Sequence, residues 1–150
     1  DAATARFADC DIGIGVAAVS DWRAVRPHPH KLSKDGGPPQ LELEATPDIL
    51  AALGAAKKPG QLLIGFALET EPERLSDPRK LRQKNLDLLV ANNPARAGSE
   101  FGGDTNEAVI LSGDGTADRP GLLTKRELAH RILDRIVAFR SRGRIPAATR

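Results

Sequence analysis

Continuous apolar runs are the feature of this sequence that most constrains its fold. They occupy residues 12–19 and 62–68, and the mainly apolar segments at residues 86–91 and 106–111 are two further candidates for buried strands. Each run is short and bounded by polar residues, which is typical of a strand buried on both faces of a sheet. Residues 40–44 alternate between apolar and polar side chains, which predicts a strand with one solvated face.

Helical patterns separate these runs. Thr46 followed by Pro47 predicts a helix whose N-cap is Thr46 and whose first residue is Pro47. A second helix is predicted over residues 78–85 with Asp77 as its cap, and a capping box at residues 124–127 opens a third. Strands that alternate with helices predict an α/β domain with a mostly parallel sheet.

Length and composition indicate one globular domain. The chain has 150 residues, of which 40% are hydrophobic and 28% charged, and we expect one domain over residues 1–140 and a basic, flexible tail over residues 141–150. No apolar run approaches the roughly 18 residues of a membrane span, and the first residues show no signal-peptide pattern. A net charge of +2, with one Trp, four Phe and no Tyr, argues against nucleic-acid binding.

Cys10 is the only cysteine of the chain. One cysteine excludes an internal disulfide and a cysteine-rich zinc site, and it favours a reducing cytoplasm. No histidine or second cysteine adjoins it, so we predict that Cys10 is a small core residue.

Residues 13–18 (GIGVAA) have the spacing G-x-G-x-x-A of a dinucleotide-binding turn. That turn places its glycines between a strand and a helix, where backbone amides meet a pyrophosphate. Gly13 and Gly15 lie inside an apolar run instead, and no helical pattern follows it. Glycines in a strand also occur where another element packs closely, so both interpretations stay open.

Several other polar residues each allow a functional and a structural interpretation. Asp21 follows the first apolar run and could bind a ligand at the carboxyl end of a strand or form an Asx turn. Lys31 adjoins a glycine-rich segment and could close over a phosphate or be solvated. His28 and His30 lack a third ligand nearby, which argues against a metal site.

Lys80 and Lys84 lie four residues apart in the helix predicted over residues 78–85. Two cations stacked in this way repel each other unless an anion lies between them, and a triphosphate would be such an anion. A solvated basic face, continued by Arg79 and Arg82, is the alternative.

Six motifs, taken together, resemble one family, the ligases that join 4'-phosphopantothenate to cysteine with CTP in coenzyme A biosynthesis. In most bacteria this ligase is the carboxyl-terminal half of a bifunctional protein. The motifs keep the family's order and spacing over residues 9–136. They are residues 17–23 (AAVSDWR), 31–34 (KLSK), 46–50 (TPDIL), 64–70 (IGFALET), 84–92 (KNLDLLVAN) and 101–106 (FGGDTN).

The resemblance implies a Rossmann-like three-layer domain whose amino-terminal part is missing from this chain. It also implies a set of CTP-binding residues: Gly15, Val16, Ala17, Asp21, Lys31, Pro47, Asp48, Ile49, Leu50, Phe66, Lys80 and Lys84. Lys31 would also be catalytic by assisting formation of the acyl-cytidylate, and Phe66 would pack on the cytidine. Residues 47–50 would present the amides of a helix amino terminus, and Lys80 and Lys84 would meet the triphosphate.

The implied reaction has two steps, with 4'-phosphopantothenate, L-cysteine and CTP as substrates and Mg²⁺ as the expected ion. The resemblance implies a cytoplasmic homodimer without a nucleic-acid or membrane partner. FMN is expected only if a phosphopantothenoylcysteine decarboxylase half is fused to the ligase.

The sequence also departs from the family's pattern. The family's Gly-Gly-Thr turn and Asn-x-Ser-Ser-Gly segment are missing from these 150 residues. The family uses that asparagine to handle the acyl-cytidylate, so we expect little amide product from these residues alone. Two other functions stay open: a non-catalytic nucleotide-binding module, and a dinucleotide-dependent oxidoreductase built on Gly13 and Gly15.

Overall fold

The computed structural model describes residues 2–32, 37–38, 40–71, 75, 77–99 and 102–141. The chain divides into a larger unit, residues 1–16 with 49–150, and a smaller unit, residues 17–48. The tail predicted over residues 141–150 lies, apart from Ser141, outside the described residues.

The larger unit contains all four described helices and six strands. In chain order these are α1 (Ala2–Phe7), β1 (Ile12–Gly15), α2 (Ile49–Ala56), β4 (Leu62–Leu68), α3 (Arg79–Gln83), β5 (Leu88–Asn92), β6 (Thr105–Ser112), β7 (Ala117–Asp118), β8 (Leu122–Thr124) and α4 (Lys125–Phe139). The smaller unit contains β2 (Trp22–Ala24) and β3 (Leu43–Ala45).

The larger unit is built on one six-stranded sheet in the order β1-β4-β5-β6-β7, with β8 also paired to β6. β1, β4 and β5 are parallel, with Ile64 of β4 paired to Ile14 and to Leu88. β6 runs antiparallel to β5, and the short β7 and β8 run antiparallel to β6. The predicted α/β fold is confirmed, and so are the buried strands near residues 62–68, 86–91 and 106–111.

β1 is shorter and more exposed than the sequence predicts. The apolar run over residues 12–19 suggested a strand buried on both faces, but the strand ends at Gly15 and lies at the edge of the sheet. Ile14 is 44% exposed and Val16 is 62% exposed. The difference arises because one side of β1 has no neighbouring strand among the described residues, and because the chain enters the smaller unit at Ala17.

Helices cover both faces of the sheet, as expected for three layers. On one face, alternate strand residues such as Ile64, Val90 and Ile110 pack against Ile132 and Phe139 of α4. On the other face, the intervening residues pack against α1, α2 and α3, in a cluster that includes Leu63, Leu89, Val109, Phe7, Leu53 and Leu81. Because side chains of a strand alternate between faces, each central strand contributes to both clusters.

The capping box predicted for the last helix is confirmed. Thr124 Oγ1 accepts a hydrogen bond from the backbone N–H of Glu127, and Glu127 Oε2 accepts one from the backbone N–H of Thr124 at 2.9 Å. The helix buries Leu128 and Ile136 on one stripe, which is the spacing that the sequence indicates.

The smaller unit is a two-stranded antiparallel sheet in which Trp22 pairs with Ala45. Thr46 closes this sheet, because its backbone N–H donates to the carbonyl of Asp21 at 2.9 Å and its hydroxyl donates to the carbonyl of Ser20. The prediction that Thr46 caps a helix is therefore wrong: its hydroxyl is used in the turn, and α2 begins at Ile49, two residues after Pro47.

Cys10 is exposed, so the prediction of a core cysteine is wrong. Its thiol lies just after α1 and donates to the carbonyl of Arg6 at 3.2 Å, which keeps the sulfur at the surface. Among the described residues, none of the helices has the length and apolar content that a membrane-spanning helix needs.

Candidate functional site

The carboxyl ends of the parallel strands define the edge where ligands bind in open α/β sheets. β1, β4 and β5 end there at Gly15, Leu68 and Asn92. Glu69 and Asn93 follow two of these strands directly, and both are buried although they are polar. Buried polar side chains at this edge mark it as the candidate site.

Glu69 is held by β5 and pairs with α3. Its backbone N–H donates to the carbonyl of Asn92 at 2.9 Å, and its carboxylate accepts a hydrogen bond from the ammonium of Lys80. The Glu69 side chain is only 10% exposed, whereas that of Lys80 is 33% exposed. The ion pair therefore holds the Lys80 ammonium in place while leaving part of the Lys80 side chain exposed to solvent.

Lys84 lies one turn beyond Lys80. α3 ends at Gln83, so it is shorter than the predicted helix, but the backbone N–H of Lys84 still donates to the carbonyl of Lys80 at 3.2 Å. Partial burial, and secondly the charge of Lys84, lower the pKa of Lys80 below its ordinary value. The two cations are thus close enough to repel each other, as their spacing predicts.

Asp77 forms the turn before α3. The N-cap residue of α3 is Pro78, which makes no side-chain cap, so the prediction that Asp77 is the cap of a helix beginning at Pro78 is wrong. The carboxylate of Asp77 accepts a hydrogen bond from the backbone N–H of Arg79 at 2.9 Å and pairs with the Arg79 guanidinium. The side-chain hydrogen bond from Arg79 lowers the pKa of Asp77. Arg79 is therefore bound to Asp77, as Lys80 is bound to Glu69.

Gly13 and Gly15 allow close packing onto β1. A Cβ added at Gly15 would lie 2.7 Å from Leu50 Cδ2 of α2, and one added at Gly13 would lie 2.9 Å from the ring of Phe7. Both glycines lie within the strand and not in a turn that leads into a helix. The packing interpretation is confirmed, and the position needed for a dinucleotide-binding turn is not met.

Phe66 and α3 lie on opposite faces of the sheet. Phe66 packs against the cluster that contains α4, whereas Leu81 of α3 belongs to the cluster on the other face. A ligand that touches both Phe66 and Lys80 must therefore cross the carboxyl edge of the sheet. The sequence could not show this arrangement because it depends on which face of the sheet each helix covers.

Two further predicted residues, Val16 and Ile49, are exposed and belong to the larger unit, in which Ile49 is the first residue of α2. The others belong to the smaller unit, residues 17–48. Ala17 and Asp21 are exposed, and Asp21 precedes β2 instead of ending a strand of the large sheet. Lys31 is exposed, and so are Pro47 and Asp48, which come before the first residue of α2. Their binding roles stay predictions.

No described group of three or more His, Cys, Asp or Glu side chains is arranged to hold a metal ion. His28 and His30 are both exposed.

Comparison with known proteins gives the family. Residues 1–139 match the family described as DNA/pantothenate metabolism flavoprotein C-terminal domain. The chain belongs to this family. The chain is also similar in structure to the C-terminal domain of the coenzyme A biosynthesis bifunctional protein CoaBC, as seen in its crystal structure, with a TM-score of 0.71 and 37% identity over 93% of this chain and 62% of that one.

Two relatives are longer than this chain. The chain is 41% identical over 129 residues to the coenzyme A biosynthesis bifunctional protein CoaBC of Bacillus subtilis, covering 86% of this chain and 32% of the relative. It is 39% identical over 139 residues to a cysteine/cysteine sulfinic acid decarboxylase of an unknown prokaryotic organism, covering 93% of this chain and 39% of the relative. The chain thus spans about a third of the length of these two relatives.

The sequence analysis did not identify Glu69 and Asn93 as candidate site residues. Each is a polar residue placed directly after a buried strand, and that position was the available signal. Glu69 lies inside the motif at residues 64–70, but nothing local indicates that it pairs with a lysine eleven residues later.

Proposed function

We propose that this chain is the CTP-binding part of a phosphopantothenate–cysteine ligase. Such a ligase condenses 4'-phosphopantothenate with L-cysteine in coenzyme A biosynthesis and consumes CTP. The family match and the similarity to CoaBC proteins support this proposal. The observation that carries it is a pair of neighbouring cations. Lys80 is paired with Glu69 at the carboxyl edge, and Lys84 follows one helical turn later.

The charge arrangement suits a triphosphate. Lys84 disfavours the protonated form of Lys80, and an anion bound between the two ammonium groups would remove this repulsion. Glu69 holds Lys80 in place and is too buried to be displaced into solvent. The segment therefore offers two neighbouring cations to phosphate oxygens.

The proposed reaction needs cations more than it needs a nucleophilic side chain. The carboxylate of 4'-phosphopantothenate attacks the α-phosphorus of CTP, which gives an acyl-cytidylate and pyrophosphate. The amine of L-cysteine then attacks the acyl carbon and displaces CMP. Negative oxygens approach each other in the first step, and lysines reduce that repulsion. Lys31 is proposed to assist this step, in keeping with the family resemblance.

Mg²⁺ fits this site as part of the nucleotide complex. A resident ion would need a set of oxygen ligands, and the described residues contain no such group of side chains. Mg²⁺ commonly binds through substrate phosphates, waters and one or two carboxylates. We therefore assign the ion to the triphosphate, where it would neutralise developing charge together with Lys80 and Lys84.

Homodimer formation through the smaller unit is part of the proposal. Its two short strands leave large apolar side chains exposed, among them Trp22 at 61%, Leu41 at 60% and Leu43 at 53%. An isolated pair of strands is at best marginally stable, and a second copy would cover these side chains. Sedimentation of the wild-type chain against a Leu43→Lys variant tests this: the variant should be monomeric.

A fused decarboxylase half with FMN, and a cytoplasmic location, complete the proposal. The fusion is supported by the relatives, of which this chain covers about a third. The exposed thiol of Cys10 is compatible with a reducing compartment.

Nucleotide preference tests the proposed function. Thermal unfolding in a concentration series of CTP, ATP and NAD with Mg²⁺ should show larger stabilisation by CTP at every concentration. Equal stabilisation by CTP and ATP would contradict a CTP site, and preference for NAD would favour an oxidoreductase. With 4'-phosphopantothenate added to the full-length parent, mass spectrometry should detect the acyl-cytidylate. A CTP-binding parent that never forms it would be a non-catalytic module.

A further inference from the structure

Asn85 follows Lys84 and turns the chain out of α3 in a left-handed backbone conformation. Its φ is +50°, and among the described residues no other residue except glycine has a positive φ. The backbone N–H of Asn85 donates to the carbonyl of Arg82 at 3.2 Å, and that of Leu86 donates to the carbonyl of Leu81 at 2.9 Å. These two bonds form a Schellman motif, whose left-handed position is usually a glycine. Because glycine adopts this conformation with less strain, the backbone alone does not account for an asparagine here.

The side chain of Asn85 binds α2. Its amide Nδ2 donates to the carbonyl of Gly54 at 2.8 Å. Gly54 also lies directly against the backbone of Lys84, since a Cβ at Gly54 would be 2.8 Å from the carbonyl carbon of Lys84. Both contacts converge on one residue, so they fix the backbone of Lys84 against α2. The carbonyl of Asn85 accepts from the ammonium of Lys57 at 2.7 Å, a contact that any residue at position 85 could make.

The two cations of the proposed triphosphate site therefore have different anchors. Lys80 is paired with Glu69, which directly follows β4. The backbone of Lys84 is held by α2, through Gly54. Because two ammonium groups can share one anion only at a suitable separation, the relative position of these anchors sets the geometry of the site.

α2 also carries other residues of the predicted CTP-binding set. Ile49 and Leu50 begin the same helix whose Gly54 accepts the Asn85 amide. Leu50 packs onto β1, where a Cβ at Gly15 would lie 2.7 Å from Leu50 Cδ2. The bond from Asn85 thus joins the lysine segment to the helix that contacts β1.

We propose that Asn85 is a positioning residue for polyphosphate binding. Its side chain fixes Lys84 against α2, so that Lys84 and Lys80 together bind one polyphosphate chain. This inference rests on the proposed function, in which that polyphosphate is the triphosphate of CTP. Asn85 acts through Lys84 and not by touching the nucleotide. If Asn85 were only a helix cap, glycine would serve as well in its place.

The main test is Asn85→Gly, which keeps the left-handed turn and removes the bond to Gly54. This variant should melt close to the wild type, because the lost hydrogen bond is offset by the lower strain of glycine at a positive φ. Calorimetric titration with inorganic tripolyphosphate and with CTP should show about tenfold weaker binding of each. Cytidine, which has no phosphates, should bind as it does to the wild type.

A double-mutant cycle tests whether Asn85 acts through Lys84. If it does, Asn85→Gly should weaken tripolyphosphate binding in the wild-type chain and have no further effect in the Lys84→Ala chain. Steady-state kinetics of the full-length parent gives a second readout that a general loss of stability would not produce. There, Asn85→Gly should raise KM for CTP and leave KM for L-cysteine unchanged.

Gln61→Ala is the matched control. The side-chain amide of Gln61 donates to the carbonyl of Phe7, also at 2.8 Å, so this variant loses a bond of the same kind elsewhere in the larger unit. It should be less stable than the wild type and bind tripolyphosphate equally well. A parallel loss of affinity in Gln61→Ala would mean that the effect of Asn85→Gly is not specific to position 85.

The proposal is overturned if Asn85→Gly binds tripolyphosphate as tightly as the wild type does, or if its effect is as large in the Lys84→Ala chain. A wild-type chain that does not bind tripolyphosphate also refutes it. Titration with ATP keeps the proposed function separate. If CTP and ATP bind equally, the ligase proposal fails, while the effect of Asn85→Gly on tripolyphosphate still decides the positioning role.

Discussion

The ammonium of Lys57 pairs with the carboxylate of Asp87 at 2.9 Å, at the amino-terminal edge of the sheet. The same carboxylate oxygen accepts the backbone N–H of Leu63 at 2.7 Å, and Lys57 also donates to the carbonyl of Asn85 at 2.7 Å. This pair has the same chemistry as Lys80–Glu69 but lies at the opposite edge, where Lys57 holds the carbonyl of the residue that follows Lys84. It is a structural ion pair with which the proposed binding role of Lys80–Glu69 can be compared.

Replacing Asp87 should destabilise the fold without changing nucleotide affinity. Asp87→Ala leaves a largely buried ammonium without its counter-charge and the N–H of Leu63 without its acceptor, which should lower the free energy of unfolding by about 2–3 kcal/mol. Asp87→Asn keeps an acceptor for Leu63 and should cost less. Urea unfolding measures both, and calorimetric titration with CTP should give the wild-type affinity. A variant as stable as the wild type would mean that the pair contributes nothing.

Lys80 and Lys84 should respond differently to replacement by alanine. Lys80→Ala leaves Glu69 buried without its cation and should lower stability, whereas Lys84→Ala removes a repulsion and should be neutral or slightly stabilising. If both hold the triphosphate, each variant should bind CTP about ten- to a hundredfold more weakly, since each loses a charge-assisted contact.

The control ligand for these lysine variants is cytidine, which has no phosphates and should bind them unchanged. Calorimetric titration of CTP and of cytidine decides the question. The control variant is Lys58→Ala, which loses its hydrogen bond to the carbonyl of Ala8 but should retain its affinity for CTP. If both lysine variants bind CTP as well as the wild type does, the lysines are a structural cluster and not a triphosphate site.

Gly54 controls the distance between α2 and the end of α3. A Cβ at this buried position would overlap the carbonyl oxygen of Lys84 and lie 2.8 Å from its carbonyl carbon, and backbone cannot move aside as a side-chain tip can. We expect Gly54→Ala to cost about 1–3 kcal/mol and to weaken CTP binding by displacing Lys84. Gly113→Ala is the control, because its nearest neighbour would lie at 3.6 Å. Thermal unfolding of the two variants should separate clearly, and equal melting temperatures would contradict this packing.

Asp118 should contribute to the loss of stability in acid. The side-chain hydrogen bond from Arg131, and secondly the one from Arg135, hold the pKa of Asp118 below its ordinary value of 3.8. A carboxyl group whose pKa is lowered by folding stabilises the protein above its unfolded pKa, and this contribution is lost as the pH falls through the folded value. Asp118→Asn should therefore be less stable at neutral pH, and the difference from wild type should shrink at low pH.

Chemical denaturation of the Asp118 variant over a range of pH values from neutral to strongly acidic measures that difference. Glu127 provides a comparison, because the hydroxyl of Thr124 lowers the pKa of Glu127 at the start of α4, the helix that also carries Arg131 and Arg135. A difference that stays constant down to the lowest pH would contradict the link to ionisation of Asp118.

Local sequence signals predicted the central elements well. β4 is apolar throughout, β5 is apolar up to Asn92, and residues 108–111 of β6 are apolar, as expected for strands that helices cover on both faces. The capping box at Thr124 needs only residues within one helical turn, so it too could be predicted. The prediction for Thr46 was wrong because its hydroxyl can either cap a helix or hydrogen-bond within a turn. In the structure it donates to the carbonyl of Ser20.

Long-range pairings were beyond the sequence signals. Glu69 meets Lys80 only because β4 and α3 pack against each other, and Phe66 packs on the face of the sheet opposite to α3. The exposure of β1 likewise follows from its place at the sheet edge and not from its apolar composition. The sequence by itself determined which segments are strands and helices and which motifs they carry, since these depend on neighbours along the chain. Only the tertiary structure decided which charges are paired and which face each side chain takes, because those depend on contacts between segments that are distant in the chain.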